Sequence, residues 1–361
     1  MRKDGKALRT GFSTGTAATA AAVAAAELLL EGEAPERVLV RLPKGKSIVI
    51  PVEESSLGRE DATAIIRKIA GDDPDVTNKA RVGATVAKAP GPGVTITGGP
   101  GVGRLTKPGL VLPPGEWAIN PVPREMIRDN LSPYLEKAGT GLSVMVFIEK
   151  GEILAKRTLN PRLGIVGGLS VLGTTGLVRP FSNAAYIATI DAAMDVARAQ
   201  GLEEIVLTTG GRSEGFGMRE RPDLPEEAFV QIADFYKDGL AHAARHGFTT
   251  IGLAIFFGKA VKQAAGIPYT HAHKSDMDLA RMLEYLPELP EPLRSGVKNA
   301  NTALAALGLM KENGALWIVP LVAKKVLETA RGFAGPGPSL WVRVFDFDGQ
   351  TLAYELDTVG P

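Results

Sequence analysis

Three carboxylates crowd into four residues at Asp72-Asp73-Pro74-Asp75, with Thr77 close behind. Like charges at that spacing resist joint ionisation, so at least one pKa is expected to rise, making a proton donor or acceptor near neutrality conceivable. A solvated turn capped by Asp72 or Asp75 would use the same residues. Hard-metal binding would need a second carboxylate cluster at ligand spacing, which the sequence lacks, so no metal is expected.

Cations gather in a glycine-rich stretch, Gly98-Gly99-Pro100-Gly101-Val102-Gly103-Arg104-Leu105-Thr106-Lys107-Pro108-Gly109. It fails the Walker pattern, because the glycine-to-lysine spacing is wrong and Pro108 prevents a helix from starting on the lysine. Arg104 and Lys107, with Arg124 behind Asn120-Pro121-Val122-Pro123, could instead clamp carboxylates, a task suited to the rigid guanidinium fork. Histidine is scarce. His242 and His246 lie four apart near the expected end of a helix, where a cation suits the dipole. His271 and His273 share a loop after Pro268 and are the better candidates for a polar site.

Three glycine-rich segments stand where strands should end: Gly167-Gly168 leading to Gly173-Thr174-Thr175-Gly176; Thr208-Thr209-Gly210-Gly211-Arg212-Ser213-Glu214-Gly215; and Phe257-Gly258-Lys259. Glycine lets backbone N–H groups approach a ligand, and open α/β sheets bind ligands at the carboxyl ends of their strands. Each glycine could equally serve a tight turn. None has the G-x-G-x-x-G spacing of a dinucleotide fold.

These residues need elements to position them. Thr14 to Glu31 has high helical propensity throughout and Gly32 as a cap; it is too short and too weakly apolar to span a bilayer and reads as a buried helix. Arg37 to Leu42 and Ser47 to Val52 read as strands around a turn, Asp61 to Ala70 as a helix, and Arg81 to Lys88 and Gly93 to Thr97 as strands. Gly98 to Gly115 reads as a long functional loop. Val144 to Ile148 and Ile153 to Arg157 read as a hairpin around Lys150-Gly151. From about Leu159 strands and helices alternate: an apolar run at Gly164 to Val171, helices at Asn183 to Gln200, Pro225 to His246 and Gly258 to Ala265, strands at Ile205 to Thr208 and Thr250 to Phe256, and a terminal hairpin. The expected fold class is therefore α/β: an α+β domain over 1–158, followed by a doubly wound, Rossmann-like α/β domain over 159–361.

Bulk properties narrow the function classes. Lysine plus arginine is 41 against 40 acidic residues, and this balance argues against a nucleic-acid binder. Cysteine is absent, which excludes disulfides, thiolate nucleophiles and cysteine-based zinc sites and fits a cytoplasmic protein. The start, MRKDGKALRTGF, has no apolar stretch behind its basic residues, so neither a secretory signal nor a membrane partner is expected.

Taken in order, Leu8 to Thr16 (LRTGFSTGT), Gly71 to Thr77 (GDDPDVT), Gly101 to Leu110 (GVGRLTKPGL), Ala118 to Arg124 (AINPVPR), Leu163 to Gly168, Gly173 to Gly176 and Thr208 to Arg212 resemble the cobalt-precorrin-5B C1-methyltransferase (CbiD) family of anaerobic cobalamin biosynthesis. The likeness spans nearly the whole chain, and GDDPDVT and INPVPR are its specific strings. Two departures stand out: Ala17 and Ala18 where the family often has a cysteine, and Asn78 where a histidine is common, so neither thiol nor imidazole there can be essential. The resemblance implies methyl transfer from S-adenosylmethionine to C1 of cobalt-precorrin-5B, giving cobalt-precorrin-6A. The donor would be seated by Gly167, Gly168, Thr174, Thr175, Thr209, Gly210 and Gly211. The polycarboxylate macrocycle would be held by Arg104, Lys107, Asn120, Arg124 and His273. Asp72, Asp73 and His271 are the candidate catalytic groups. A nicotinamide-dependent oxidoreductase and a non-catalytic tetrapyrrole carrier are the rival readings, and the sequence leaves a homo-oligomer open.

Overall fold

The computed structural model describes residues 2–3, 6–271 and 278–358. It divides the chain into two units, Met1–Ser182 and Asn183–Pro361. This division falls later than the expected 158/159 because the segment beyond Leu159 pairs back onto earlier chain. Gly168–Leu169 runs parallel to Gly101–Val102, Ile165–Val166 antiparallel to Arg104–Leu105, and Leu177–Val178 antiparallel to Gly11–Phe12.

The first unit is built around the helix Thr14–Glu31. Ser13 caps it, its Oγ accepting the Thr16 N–H at 3.1 Å, and Gly32 ends it in the left-handed region at φ 78. Its alanines from Ala17 to Ala26 are buried with Ala62, Ala64 and Ala84 of the five-stranded sheet in one core, which Met126, Ile127 and Leu131 of the helix Pro121–Ala138 also join. Small side chains on both surfaces let helix and sheet approach closely, which is why a weakly apolar helix can be internal along most of its length. The sheet order is Glu54–Leu57, Asp61–Arg67, Arg81–Ala89, Gly141–Ile148, Val94–Gly98, antiparallel except for the last pair.

Two elements differ from expectation. Asp61 to Ala70 is not a helix; Asp61–Arg67 is a strand, and its Thr63 hydroxyl meets that of Thr85 on the neighbouring strand at 2.9 Å. Pairing on both sides and the β-branched Thr63, Ile65 and Ile66 outweigh the helical propensity of its alanines. The expected hairpin after Gly141–Ile148 is a turn at Lys150, φ 56, into the short helix Gly151–Ala155. The long loop from Gly98 carries two short strands, Gly101–Val102 and Arg104–Leu105.

The loop at 72–78 rests on a buried cation. Lys68 is 1% exposed and donates to Asp75 Oδ2 at 2.6 Å, while Asp75 Oδ1 accepts the Thr77 N–H and hydroxyl, each at 2.7 Å. Burial alone would raise the Asp75 pKa, but the Lys68 charge and these hydrogen bonds outweigh burial and hold it below its ordinary value. The stabilisation is therefore fully present above the ordinary carboxyl pKa near 3.8 and fades as pH falls through the lower folded value. Asp75→Ala leaves the Lys68 ammonium buried without its partner and is expected to cost about 3 kcal/mol in urea unfolding at pH 7. The gap between wild-type and variant curves should narrow as pH falls below 3.8 and through the lower folded value; a gap that stays constant over that whole range would rule the ion pair out as the cause.

The second unit is doubly wound. Its sheet runs Phe229–Gln231, Glu204–Thr208, Thr250–Phe256, Ser339–Phe345, Thr351–Asp357; the first four strands are parallel and the last is antiparallel. Ile205, Leu207, Leu253 and Val342 face one core with Tyr236, Leu240 and Val322 from helices Tyr236–Arg245 and Ile318–Ala334. Val206, Ala254 and Trp341 face the other with Phe216 and Met218 of helix Gly211–Glu220. The expected helix from Pro225 to His246 is broken: Glu226–Ala228 forms a 3-10 turn, Phe229–Gln231 an edge strand, and only Tyr236–Arg245 is α-helical. From Glu204–Thr208 the chain goes to the neighbour on one side, Phe229–Gln231, and next enters the neighbour on the other, Thr250–Phe256. That reversal defines a crevice at the carboxyl ends of Glu204–Thr208 and Thr250–Phe256.

Candidate functional site

At this crevice Thr209 and Gly210 lead from the strand into helix Gly211–Glu220. Among the described residues no side chain caps the helix, so its first-turn N–H groups face the strand end, and Gly210 is at φ 157. A side-chain carbon added at Gly210 or Gly215 would meet nothing within 4 Å, and at Gly211 its nearest neighbour would be Gln231 Nε2 at 4.0 Å. Among the described residues, the space above the strand end is therefore open. Ser213 Oγ accepts the Thr209 N–H at 3.1 Å, stiffening the turn.

A carboxylate stands on either side of this turn. Glu214 is buried in the first turn of the helix and accepts from Gln231 Nε2 at 2.8 Å. Asp234 follows the edge strand, bonded to Lys259 Nζ and accepting from the Thr270 hydroxyl at 3.3 Å. Ala233, immediately before it, is held at φ 47. A non-glycine residue there is strained, and such strain persists only where the surrounding structure over-determines the conformation. Aromatic rings line the same edge: Tyr186 stacks on Phe235 at 5.2 Å, Tyr269 meets Phe235 at 5.0 Å, and His271 lies parallel to Tyr269 at 6.0 Å. Towards the far strands, Phe256 stacks on Phe347, and the Arg212 guanidinium lies over both rings.

The seven residues read from sequence as one cofactor site divide between the units. Thr209, Gly210 and Gly211 are at the crevice of the second. Gly167, Gly168, Thr174 and Thr175 are in the first, where Gly168 pairs with Gly101 and Gly167 is an exposed turn at φ 83. The Thr174–Thr175 loop folds against the start of the alanine helix: the Thr16 hydroxyl donates to Gly176 O at 2.7 Å, and Thr14 Oγ1 accepts the Leu172 N–H at 3.0 Å.

The cations read as a carboxylate clamp are also in the first unit. Arg104 is exposed, 4.0 Å above the Trp117 ring, and donates to Gly115 O at 3.1 Å. Lys107 lies along Gly164, where any side chain would collide with it, and its ammonium reaches Arg162 O at 3.5 Å. Arg124 donates to Ile119 O at 2.7 Å, Trp117 O at 3.2 Å and Glu116 at 3.0 Å, bracing the 116–119 loop. Asn120 is exposed at the N-cap of Pro121–Ala138.

The acidic cluster is tied down rather than crowded together. Asp72 grips Arg9 through the backbone N–H at 2.8 Å and a forked guanidinium contact at 3.0 and 2.8 Å; Asp73 Oδ2 accepts the Phe181 N–H at 2.9 Å. Asn78 Oδ1 accepts the Ala70 N–H at 3.0 Å. His242 pairs with Asp191 and His246 with Asp195, bridging two helices rather than serving only the helix end. His273 lies outside the described residues. Among the described residues, no group of three or more His, Cys, Asp or Glu side chains could hold a metal ion, and no helix is long and apolar enough to cross a membrane.

Sequence reading missed Gln231, Asp234, Tyr186 and Tyr269. Asp234 was hidden inside an expected helix, and only the edge strand before it puts it at the crevice. Glu214 and Lys259 stood within the quoted glycine segments, where a charged residue just past a strand end is a usable signal.

Residues 1–180 match the family model described as CbiD, and residues 269–355 match CbiD, C-terminal domain. The chain is 40% identical over 363 residues to a cobalt-precorrin-5B C(1)-methyltransferase from Geobacillus thermodenitrificans (strain NG80-2), covering 98% of this chain and 96% of that one. It is 43% identical over 347 residues to the protein of the same name from Burkholderia lata, covering 95% of each. Among solved structures it is similar to the cobalamin biosynthesis protein (cbiD) of Archaeoglobus fulgidus, with 30% identity, a TM-score of 0.41, and coverage of 71% of this chain and 79% of that one.

Proposed function

The chain belongs to the CbiD family, and on that premise we propose that it transfers a methyl group from S-adenosylmethionine to C1 of cobalt-precorrin-5B, giving cobalt-precorrin-6A. The observation that carries this reading is identity of 40% or more across nearly the full length of proteins bearing that name. The donor supplies an electrophilic methyl group on a sulfonium, so the protein's work is alignment and exclusion of water.

The crevice of the second unit has the donor set such a molecule needs. The uncapped first turn of Gly211–Glu220 offers backbone N–H groups to its carboxylate. Glu214 and Asp234 offer acceptors to its ribose hydroxyls and negative charge to its cationic groups. The open space at Gly210 and Gly211 admits it. In this proposal Gly167, Gly168, Thr174 and Thr175 shape the first unit, and Thr209, Gly210 and Gly211 remain as cofactor contacts. Arg104 and Lys107 hold acidic side chains of the macrocycle. Arg124 and Asn120 hold the loop beside them, and Asp72 and Asp73 hold the chain at Arg9 and Phe181. His271 closes the aromatic row.

Incubation with methyl-labelled S-adenosylmethionine and cobalt-precorrin-5B should move label to the macrocycle. S-adenosylhomocysteine should raise the thermal unfolding midpoint, as any ligand selective for the folded state does. NADPH protecting in its place, or label staying on the donor with well-folded protein, would overturn the assignment.

A further inference from the structure

We propose that the corner formed by Tyr186, Phe235 and Tyr269 with the carboxylates of Glu214 and Asp234 reads the positive charge on the sulfur of the methyl donor, and so separates the sulfonium from the neutral thioether of its demethylated product. The inference rests on the methyl-transfer reading above and adds to it a means of telling substrate from product.

The geometry begins with Phe235, which follows Asp234 in the chain. Tyr186, on helix Asn183–Ala199, stacks on it with centroids 5.2 Å apart and planes at 20°; Tyr269 meets it at 5.0 Å and 61°. Two phenol rings thus flank one aromatic core beside a carboxylate. The Tyr186 hydroxyl reaches Gln231 O at 3.4 Å, and Gln231 in turn donates to Glu214, so ring and acid are joined through one residue. The 268–271 segment is tied to the same place: the Thr270 N–H donates to Asp234 O at 3.0 Å, and the Lys237 N–H to Pro268 O at 3.1 Å.

Electrostatics agree with this placement. Burial first, then the charges of Asp234 and Glu214, raise the Tyr186 pKa; burial and Asp234 raise that of Tyr269. Both phenols therefore stay neutral, with electron-rich faces, inside the field of the two acids. Lys259 pairs with Asp234 and offsets part of that field, which leaves the ring faces a share in the attraction. A sulfonium gains charge attraction from ring faces and acids together, whereas a neutral thioether of the same shape keeps only the weaker sulfur–aromatic contact. Methyl transfer removes the charge, and the product is then held less tightly where the substrate was bound.

Calorimetry with S-adenosylmethionine and S-adenosylhomocysteine on the full chain tests this directly. Wild type should bind the sulfonium about tenfold more tightly than the thioether, in line with cation–π and partly desolvated charge attraction. Tyr186→Leu and Tyr269→Leu should each shrink that ratio several-fold, while Tyr186→Phe, which keeps the ring, should preserve it. Equal affinities in wild type, or a ratio untouched by both leucine variants, overturns the inference and leaves methyl transfer standing. Loss of the ratio in Tyr186→Phe overturns the ring as its source. If folded wild type binds neither compound, the methyl-transfer reading fails, and this inference with it.

Discussion

Asp234→Ala is expected to weaken binding of S-adenosylmethionine by about 30- to 150-fold, equivalent to about 2–3 kcal/mol. The carboxylate is the shared anchor of Lys259 and the Thr270 hydroxyl, and it directly follows the left-handed backbone at Ala233. Removing it strands a half-buried ammonium and takes the side-chain partner from the Thr270 hydroxyl, beside Tyr269, while the backbone ties of the 268–271 segment remain. The pair is partly exposed, with side chains at 27% and 20%, so the lower half of the usual range for a broken buried charge pair applies. Asp234→Asn keeps an acceptor for Thr270 but not the charge, and it should fall between wild type and alanine. Titration calorimetry beside urea unfolding separates binding from folding. Unchanged donor affinity in a folded Asp234→Ala protein would move the donor site elsewhere.

Gly168→Ala is expected to destabilise the first unit by about 4 kcal/mol or more, at the upper end of single substitutions, and to leave little soluble protein. A Cβ at Gly168 would stand 2.2 Å from Gly101 O and 2.3 Å from Gly101 C, and neither backbone atom can move without breaking the two-residue parallel pairing. Gly101 is locked in turn, at φ 75, with Ile148 O 1.9 Å from where its own Cβ would be. The matched control is Gly167→Ala, one residue away in open space at φ 83. It should cost only about 1 kcal/mol, the left-handed penalty for an alanine. Comparable urea midpoints for the two variants would refute the close packing of these strands.

The two glycines show why one residue type at one motif can mean different things. Gly167 and Gly168 read as a cofactor cradle because glycine permits close approach, and the structure shows Gly168 in close approach to Gly101 of the same chain. Gly210 and Gly211 carry the same signal and do face open space. Nothing local in the sequence separates these cases, because what fills the space in front of a glycine is decided by residues far away in the chain. The acidic cluster behaves likewise. Its three carboxylates look mutually repulsive in a line of text, yet Asp72 turns to Arg9, Asp73 to the Phe181 N–H and Asp75 to Lys68.

What the sequence determined by itself was whatever depends on short-range periodicity, propensity and shared strings. The buried alanine helix with its Ser13 and Gly32 caps, the parallel strands at Ile205 and Thr250, the terminal hairpin and the family all follow from residues close together or from motifs kept in order. What only the tertiary structure decided was pairing between distant segments. Asp61–Arg67 became a strand because two neighbours offered hydrogen bonds on both edges. Residues 159–182 joined the first unit because their short strands found partners at Gly11, Gly101 and Arg104. Asp234 reached the crevice because Phe229–Gln231 added itself to the sheet. A strand's hydrogen bonds are satisfied by another part of the chain, whereas a helix satisfies its own, so the capped alanine helix could be read locally while the pairings of Asp61–Arg67, Phe229–Gln231 and residues 159–182 could not.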